Sequence, residues 1–180
     1  MQKRVLVLLM EGFEEIEALA PVDVLRRAGV EVVMASLGEG IHVNGRCGVT
    51  VHADSTLDAV AGADFDLLFL PGGPAVKAMR ADGRAAELAQ AFAAAGKPVA
   101  AICAAPLVLK DAELLAGRRF TAHGSTLEEL PQMLEAERVV EDGDVLTSRG
   151  AGTAVEFGLA LARRLCGAET AAAVAESIHH

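Results

Sequence analysis

The chain contains no tryptophan and no tyrosine, and six of its 180 residues are phenylalanine. Proteins that bind single-stranded nucleic acid stack bases on aromatic rings, and nucleic-acid binders in general carry a basic face. This sequence has few rings and a formal net charge of −9 at pH 7. We therefore expect no dedicated nucleic-acid surface.

Cysteine and histidine are also scarce, with three and five residues. An odd number of cysteines at wide spacing (Cys47, Cys103 and Cys166) is not a disulfide framework. No spacing of histidines and cysteines is typical of a zinc site, so we expect no metal. Cys47 and Cys166 are interpreted as structural. These patterns favour small-molecule chemistry in a reducing compartment.

Long apolar runs are missing as well. None approaches the roughly 18 residues that a membrane span needs, and acidic residues directly follow the short apolar run at the N-terminus. We therefore expect a cytoplasmic protein without a signal peptide or a membrane partner. With 52% hydrophobic and 23% charged residues, the chain is expected to fold as one domain over residues 1–178. His179 and His180 are interpreted as the remnant of a purification tag.

Short apolar runs alternate with helical patterns along the sequence. Continuous apolar runs are typical of parallel strands that are covered on both faces. Strands that alternate with helices indicate a parallel sheet between helical layers. The sequence therefore predicts an α/β fold with a mostly parallel central sheet. The runs that predict buried strands are 4–10, 30–38, 66–70, 99–102 and 145–148.

One predicted helix contains a proline. Residues 13–29 have apolar side chains at helical spacing, and Pro21 lies within them, so we expect a kink or a break near Ala20. The other predicted elements are a hairpin at 42–43 and 49–52, a short helix at 57–60 capped by Ser55 or Thr56, a helix at 85–95, a helix from Ala104 onward, short strands at 119–122 and 139–140, and an amphipathic helix within 149–167.

Cys103 lies at the junction between the apolar run 99–102 and the helical pattern that follows it. A sharp strand-to-helix turn presents one side chain at the carboxyl edge of the sheet, where unpaired amides and the helix dipole favour a thiolate. This is the geometry of a nucleophile elbow, without the G-x-S-x-G spelling. The alternative is that Cys103 is a small buried hydrophobic residue, as most free cysteines are. The elbow alone does not decide between the two.

Further candidate groups are expected at the same edge, because active sites of such sheets gather at the carboxyl ends of the strands. Gly72 and Gly73 allow a backbone amide to approach a ligand closely, and with the amide of Ala104 they could form an oxyanion hole. An ordinary strand-end turn is the alternative. His123, after a predicted strand, is either an acid or base for a thiol or an ordinary loop residue.

Three glutamates, Glu14, Glu15 and Glu17, begin the first predicted helix, where carboxylates stabilise the helix dipole in any protein. Glu17 shares a face with Ala20 and Pro21 and is expected to point inward. A buried carboxyl group has a raised pKa, so it can stay protonated and donate a hydrogen bond to a neighbouring thiolate. An ionised Glu17 would instead oppose thiolate formation.

Five motifs, in this order, resemble those of the ThiJ/PfpI superfamily, in the branch of the parkinsonism-linked protein deglycase and its bacterial relatives. The resemblance covers about residues 4–166. The motifs are GFEEIEALAPVDVLRRAG, LPGG, AICAAP, TAH and LTSRGAGTAVEF. The resemblance implies a flavodoxin-like three-layer α/β sandwich that forms a homodimer.

The resemblance also implies roles for individual residues. Cys103 matches the family nucleophile, and Glu17 matches the glutamate that hydrogen-bonds the cysteine sulfur. His123 matches a histidine near the site. On the substrate side, Gly73 and Ala104, with the adjacent Gly72, match the backbone donors that face the substrate. Arg27 matches an arginine near the pocket at the dimer interface. Arg149 and Gly150 belong to the loop 149–153, which matches the loop that borders the site.

Three positions depart from the pattern of the superfamily. Ala151 replaces a proline that is frequent in the loop 149–153, so this loop is expected to be less rigid. Gly124 follows His123 where a proline is common. Cys47 takes the place of an arginine that contributes to a partner subunit's site in some members. These departures affect the substrate side and the dimer contacts, and they leave the cysteine–glutamate core intact.

The resemblance implies an enzyme of the glyoxalase or protein-deglycase type, which converts methylglyoxal or its early glycation adducts to a 2-hydroxy acid. No cofactor is implied. The expected partners are small 2-oxoaldehydes, or glycated amines and thiols. The alternative is an oxidative-stress sensor or redox-regulated chaperone, in which Cys103 is oxidised to a sulfinic acid. A glutamine amidotransferase shares the elbow, but the sequence has no later H-x-E pair and no partner synthase domain.

Overall fold

The computed structural model describes residues 2–180, and a sheet of mostly parallel strands forms its centre. The strands are β1 (Arg4–Leu9), β2 (Glu31–Ser36), β3 (His42–Asn44), β4 (Thr50–His52), β5 (Ser55–Thr56), β6 (Leu67–Leu70), β7 (Val99–Ile102), β8 (Val139–Asp142) and β9 (Val145–Ser148). Seven of them form one sheet in the order β5-β2-β1-β6-β7-β9-β8. Within it only the edge pair β8–β9 is antiparallel among the described residues. The predicted α/β fold with a mostly parallel sheet is confirmed.

Helices cover both faces of this sheet. They are α1 (Glu15–Arg27), α2 (Ala75–Asp82), α3 (Arg84–Ala94), α4 (Pro106–Asp111), α5 (Ala154–Cys166) and α6 (Ala168–Ser177). Apolar side chains of α1, α5 and α6 pack in the core on one face, and those of α2, α3 and α4 pack in the core on the other. The flavodoxin-like three-layer sandwich is therefore present. The helices α2 and α6 were not predicted from the sequence.

The central strand β1 shows why its sequence is an unbroken apolar run. Side chains alternate between the faces of a strand, so Leu6 and Leu8 enter one core while Val5, Val7 and Leu9 enter the other. All five are buried. Because helices cover both faces, no position on this strand needs a polar residue, and the carboxyl end of β1 leads directly to the glutamates of α1.

The helix α1 runs through Pro21 without the break that the sequence predicted. Proline cannot donate a backbone hydrogen bond, which deprives the Glu17 carbonyl of its helical partner. Pro21 is buried against α5, where a Cβ on Gly158 would lie 2.9 Å from Pro21 Cα. The glycine lets α5 approach this turn of α1 closely, and the helix continues past the proline.

Residues 119–122 do not form the predicted strand. The neighbouring strand β9 is already paired with β7 on one side and β8 on the other, so no free edge is left for them. The segment is fixed by side chains instead, since the Thr121 N–H donates to Thr147 Oγ1 at 2.9 Å and the Thr121 hydroxyl donates to the Leu134 carbonyl at 2.9 Å. It carries His123 to the sheet edge without being a strand.

Two helix predictions also need correction. Ser55 and Thr56 cap no helix, because they form the edge strand β5, and the following 3-10 turn Asp58–Val60 has no side-chain cap. The helix after the elbow is short and ends at Asp111. It stops there because Glu113 has a left-handed φ of 61°, and the Leu114 N–H turns back to the Leu109 carbonyl at 2.9 Å.

The predicted hairpin is confirmed as the antiparallel pair β3–β4, joined by a loop over residues 45–49. This loop lies on the start of α1, because the Arg46 N–H donates to the Phe13 carbonyl at 2.8 Å and the Gly12 N–H donates to the Asn44 carbonyl at 2.8 Å. In residues 2–180, no helix has both the length and the apolar character to cross a membrane.

Candidate active site

Cys103 lies between β7 and α4 in a backbone conformation that non-glycine residues rarely adopt. Its φ is 65°, in the left-handed region. The Cys103 N–H donates to the Ser148 carbonyl at 2.9 Å, and the Cys103 carbonyl accepts from the His123 N–H at 2.8 Å. Such strain persists where the surrounding structure fixes it, and it clusters at active sites. The elbow predicted from the sequence is present.

Gly72, which follows β6 by two residues, lets the Glu17 carboxyl group come up against Cys103. A Cβ at Gly72 would overlap Glu17 Oε2 and would lie 2.6 Å from Cys103 Cβ and 2.8 Å from the Ile102 carbonyl oxygen. Real Cβ atoms do not make such contacts, so no other residue fits here. Gly72 acts by allowing the carboxyl group and the thiol to approach each other.

Gly73 has a φ of 96°, and a Cβ there would lie 2.6 Å from the Glu14 nitrogen. The amides of Gly73 and Ala104 face the Cys103 sulfur, and both lower the pKa of the thiol. Backbone amides arranged around a nucleophile can stabilise the oxyanion that forms when it attacks a carbonyl group. The two donors predicted from the sequence therefore lie beside Cys103.

Glu17 extends from the first turn of α1 into the sheet edge and is 2% exposed. Burial raises the pKa of its carboxyl group from 4.5 to about 7. The hydrogen bond with the Cys103 side chain and the amides of Gly72 and Ala151 work in the opposite direction, and the charge of Glu14 adds to the rise. Among residues 2–180, Glu17 Oε2 has no partner within hydrogen-bond geometry. The carboxyl group is therefore suited to hold a proton near neutral pH.

The thiol and the carboxyl group influence each other's ionisation. Burial raises the pKa of the Cys103 thiol, and the negative charge of Glu17 raises it further. When Glu17 is protonated, this repulsion disappears and its O–H can donate to the sulfur. A protonated Glu17 therefore favours ionisation of the Cys103 thiol and an ionised Glu17 opposes it, which is the direction expected from the sequence for a buried carboxyl group.

His123 lies at the rim of this site and is exposed. Its Nδ1 accepts the Ser125 N–H at 3.2 Å and lies 2.8 Å from Ser125 Oγ. A Cβ on Gly150 would lie 3.6 Å from His123 Cδ2 and 3.6 Å from Glu17 Oε1. Gly150 therefore lies between the histidine ring and the glutamate, so the ring borders the site while its Nδ1 is engaged elsewhere.

The loop 149–153 is fixed by a hydroxyl network that the sequence analysis did not identify. Thr153 Oγ1 lies 2.6 Å from Ser148 Oγ, donates to the Gly150 carbonyl at 2.8 Å and accepts the Gly150 N–H at 3.2 Å. Both hydroxyl residues are buried. The side chain of Arg149 lies near Gly124, where a Cβ would be 3.9 Å from Arg149 Nη2. The sequence signal that could have revealed this network is the pair of hydroxyl residues, Ser148 and Thr153, on either side of the RGAG motif.

Arg27 is not brought to this site within one chain. It lies in the last turn of α1, where it forms an ion pair with Asp23 at 2.6 Å. It lies ten positions after Glu17, a distance of about 15 Å along the helix axis. It lines a different groove with Val155 and Ile178. Its place near a pocket at a dimer interface stays a prediction.

The geometry at this sheet edge can be compared with known proteins. The model of the DJ-1/PfpI family matches residues 3–164, which is most of the chain. This chain belongs to the DJ-1/PfpI family. The crystal structure of Drosophila melanogaster DJ-1beta is similar to it with a TM-score of 0.95 and 38% identity, covering 99% of this chain and 98% of that one.

Three curated relatives are similar to this chain over most of their own length. Protein dj-1beta of Drosophila melanogaster is 38% identical over 99% of this chain and 97% of its own. Protein/nucleic acid deglycase 2 of Escherichia coli is 35% identical over 83% of this chain and 90% of its own. A deglycase of Pyrococcus abyssi is 37% identical over 83% of this chain and 91% of its own. The resemblance drawn from the sequence motifs is thus confirmed.

Proposed function

We propose that this DJ-1/PfpI protein is a cofactor-independent cysteine enzyme that converts small 2-oxoaldehydes to 2-hydroxy acids. The observation that carries the proposal is the buried Glu17 carboxyl group beside Cys103, with its pKa raised to about 7. A group with a pKa near the operating pH is suited both to accept and to donate a proton. Relatives named as deglycases support chemistry on the adducts that such aldehydes form.

The reaction begins when the Cys103 thiolate attacks the aldehyde carbon. A carbon–sulfur bond forms as the carbonyl electrons move to oxygen. The amides of Gly73 and Ala104, which face the sulfur, stabilise this oxyanion. Protonation of the oxygen by Glu17 gives a hemithioacetal and leaves Glu17 as a carboxylate.

Glu17 then moves a proton between two carbons of the substrate. Its carboxylate removes the proton from the carbon bound to sulfur, and the resulting enediol is protonated at the neighbouring carbon. The first carbon is oxidised to a thioester while the second is reduced to an alcohol, so the redox change is internal. Water hydrolyses the thioester, releases the 2-hydroxy acid and restores the thiol.

An early glycation adduct can enter the same pathway. In a carbinolamine the aldehyde carbon carries the amine. The Cys103 thiolate forms a bond to this carbon as the carbon–nitrogen bond breaks, and protonated Glu17 donates its proton to the leaving nitrogen and becomes a carboxylate. The hemithioacetal that remains is the one described above. A groove of about 470 Å³ begins at Gly73 and Ala104 and is open enough for an adduct attached to a larger molecule.

A second candidate function is a peroxide sensor, favoured by the unpartnered Glu17 Oε2 beside the thiol. Peroxide would oxidise the Cys103 thiolate through a sulfenic to a sulfinic acid, with water as the reduced product. A protonated Glu17 could then donate a hydrogen bond to a sulfinate oxygen. In this role the protein consumes no aldehyde catalytically, so turnover separates the two functions.

The deciding experiment measures methylglyoxal consumption and lactate formation at neutral pH without glutathione. Wild type is compared with Cys103→Ala, and Cys166→Ala serves as a matched control because Cys166 lies away from the sheet edge at the end of α5. We expect many turnovers in wild type and in the control, and none in Cys103→Ala. Consumption of a single equivalent, or equal rates in all three proteins, would overturn the proposal.

A further inference from the structure

A second thiol–carboxylate cluster lies on the outer side of α1, where the hairpin loop meets the helix. One ligand atom from each of Glu14, Glu15 and Cys47 lies within 4.8 Å of the other two. Cys47 is brought here because the loop packs directly on the Glu15 side chain, and a Cβ on Gly45 would overlap the Glu15 carboxyl group. The cluster therefore depends on a glycine that lets the loop approach.

The two carboxylates are each held by one oxygen. Glu15 Oε1 accepts the Cys47 N–H at 2.7 Å and the Val49 N–H at 3.4 Å, and Glu14 Oε2 accepts the Glu17 N–H at 2.7 Å as the cap of α1. These bonds orient both groups while using only one oxygen of each. The other oxygen of Glu15, Oε2, is buried and has no hydrogen-bond partner among residues 2–180, and Glu15 as a whole is 8% exposed.

Backbone N–H groups stabilise the charge of this cluster in part, but no basic side chain of residues 2–180 pairs with it. Within residues 2–180, neither Glu14 nor Glu15 forms an ion pair with a lysine or an arginine. Both side chains are buried, at 7% and 8% exposure. Adjacent buried carboxylates without a cation are costly, and so is a buried oxygen without a hydrogen-bond partner. A bound cation satisfies both requirements at once.

We propose that Glu14, Glu15 and Cys47 form a binding site for a divalent cation of the zinc class. Thiolate and carboxylate ligands both suit Zn²⁺, at bond lengths of about 2.0 to 2.3 Å. Neighbouring ligand atoms around a tetrahedral ion with such bonds lie about 3.3 to 3.8 Å apart, so the three atoms, which lie within 4.8 Å of one another, need to close by roughly 1 Å. Three protein ligands leave one position for water, and binding releases the Cys47 thiol proton to the solvent.

This site goes beyond the proposed reaction and uses none of its groups. Cys103, Glu17 and His123 are not members of the cluster. The two sites share only the α1 cap, in which Glu14 accepts the Glu17 N–H. A cation here would also neutralise the charge of Glu14, which contributes to the raised pKa of Glu17.

The test uses a parent protein in which the other strong ligands are removed by Cys103→Ser, His179→Ala and His180→Ala. Zn²⁺ binding is measured by titration calorimetry, and Cd²⁺ binding by the ultraviolet absorption of the cadmium–thiolate bond. The added changes are Cys47→Ser, Glu15→Gln and, as a matched control, Cys166→Ser. Circular dichroism melts show whether each variant is folded.

We expect the parent and the Cys166→Ser control to bind one equivalent of Zn²⁺ and to show the cadmium–thiolate band. Cys47→Ser should abolish the band, and Cys47→Ser and Glu15→Gln should each weaken Zn²⁺ binding at least about 10-fold. The proposal is wrong if the parent binds no Zn²⁺, if the band survives Cys47→Ser, or if a folded Glu15→Gln protein binds as tightly as the parent.

Discussion

Two cysteines contact glutamates of the same helix in opposite surroundings. Cys103 meets Glu17 at the end of buried strands, in a strained backbone that β9 and the segment before His123 hold in place. Cys47 meets Glu15 on an exposed hairpin loop. In the first pair a buried carboxyl group lies beside a partly buried thiol, whereas the second keeps a thiol at the surface beside an oriented carboxylate. The comparison shows that the same two residue types occupy very different surroundings on one helix, so burial and fixed geometry, and not residue type, set the chemistry that we propose for each pair.

The largest expected effect comes from filling the space between Cys103 and Glu17. Gly72→Ala places a methyl group where the Glu17 carboxyl group lies, so we expect turnover to fall to background and stability to drop by about 1 to 3 kcal/mol. The matched control is Gly40→Ala on the hairpin side, where a Cβ meets nothing within 4 Å. Methylglyoxal turnover and urea unfolding measure both. Normal turnover in Gly72→Ala would contradict the close approach described above.

The second largest effect is expected from a substitution that removes proton transfer by residue 17 and keeps its hydrogen bond to the Cys103 sulfur. Glu17→Gln still offers an N–H to the Cys103 sulfur but cannot shuttle a proton, so we expect kcat to fall about 10²- to 10⁴-fold. Glu15→Gln, two residues away, changes the outer pair and should leave kcat within about 3-fold, since Glu15 faces the hairpin. Steady-state kinetics on both variants decide this. Full turnover in Glu17→Gln would exclude the role given to Glu17.

A smaller effect should appear in the pH dependence of stability. The pKa of Glu17 is about 7 in the folded protein against an ordinary 4.5, so between these values the folded state keeps a proton that the unfolded state releases. Stability should therefore fall as the pH rises through this window, by up to about 3 kcal/mol. Urea unfolding at pH 5 and pH 8 should show this loss in wild type and Glu15→Gln, and not in Glu17→Gln. If the free energy of unfolding fell equally with pH in all three proteins, the pH dependence would belong to another group.

The smallest effect is expected at the exposed thiol. Cys47→Ser keeps the N–H that Glu15 accepts and removes only a surface sulfur, so without added metal the free energy of unfolding should change by less than about 0.5 kcal/mol. Saturating Zn²⁺ should stabilise the parent used for metal binding more than its Cys47→Ser form. Thermal melts with and without Zn²⁺ measure the difference. Equal stabilisation of the two would count against the ligand pair.

The sequence predicted the buried pair better than the outer one, for physical reasons. The run 99–102 and the small residues after Cys103 describe a strand and a tight turn locally, and the inward face of α1 carries Glu17 at a readable spacing. Cys47 and Glu15 are 32 residues apart and meet only because of a loop conformation. No spacing rule for histidines and cysteines detects such a cluster.

The errors in the predicted fold have the same origin. Residues 119–122 have the composition of a strand, but the pairing of β9 on both sides denies them an edge. Pro21 predicts a break, but α1 continues past it, packed closely against Gly158. The hydroxyls of Ser148 and Thr153 gain their role from a network that exists only in the folded chain. The local sequence pattern therefore predicts which helices and strands can form, and tertiary contacts decide which of them form and where they end.

The two hydrogen bonds to the Cys103 backbone also have a consequence for biosynthesis. One partner, His123, follows Cys103 by 20 residues, and the other, Ser148, follows it by 45. A nascent chain that ends before Ser148 lacks the acceptor of the Cys103 N–H, so only one of the two hydrogen bonds can hold the elbow in its left-handed conformation. The full set of backbone contacts around Cys103 therefore becomes available only when most of the chain has been synthesised.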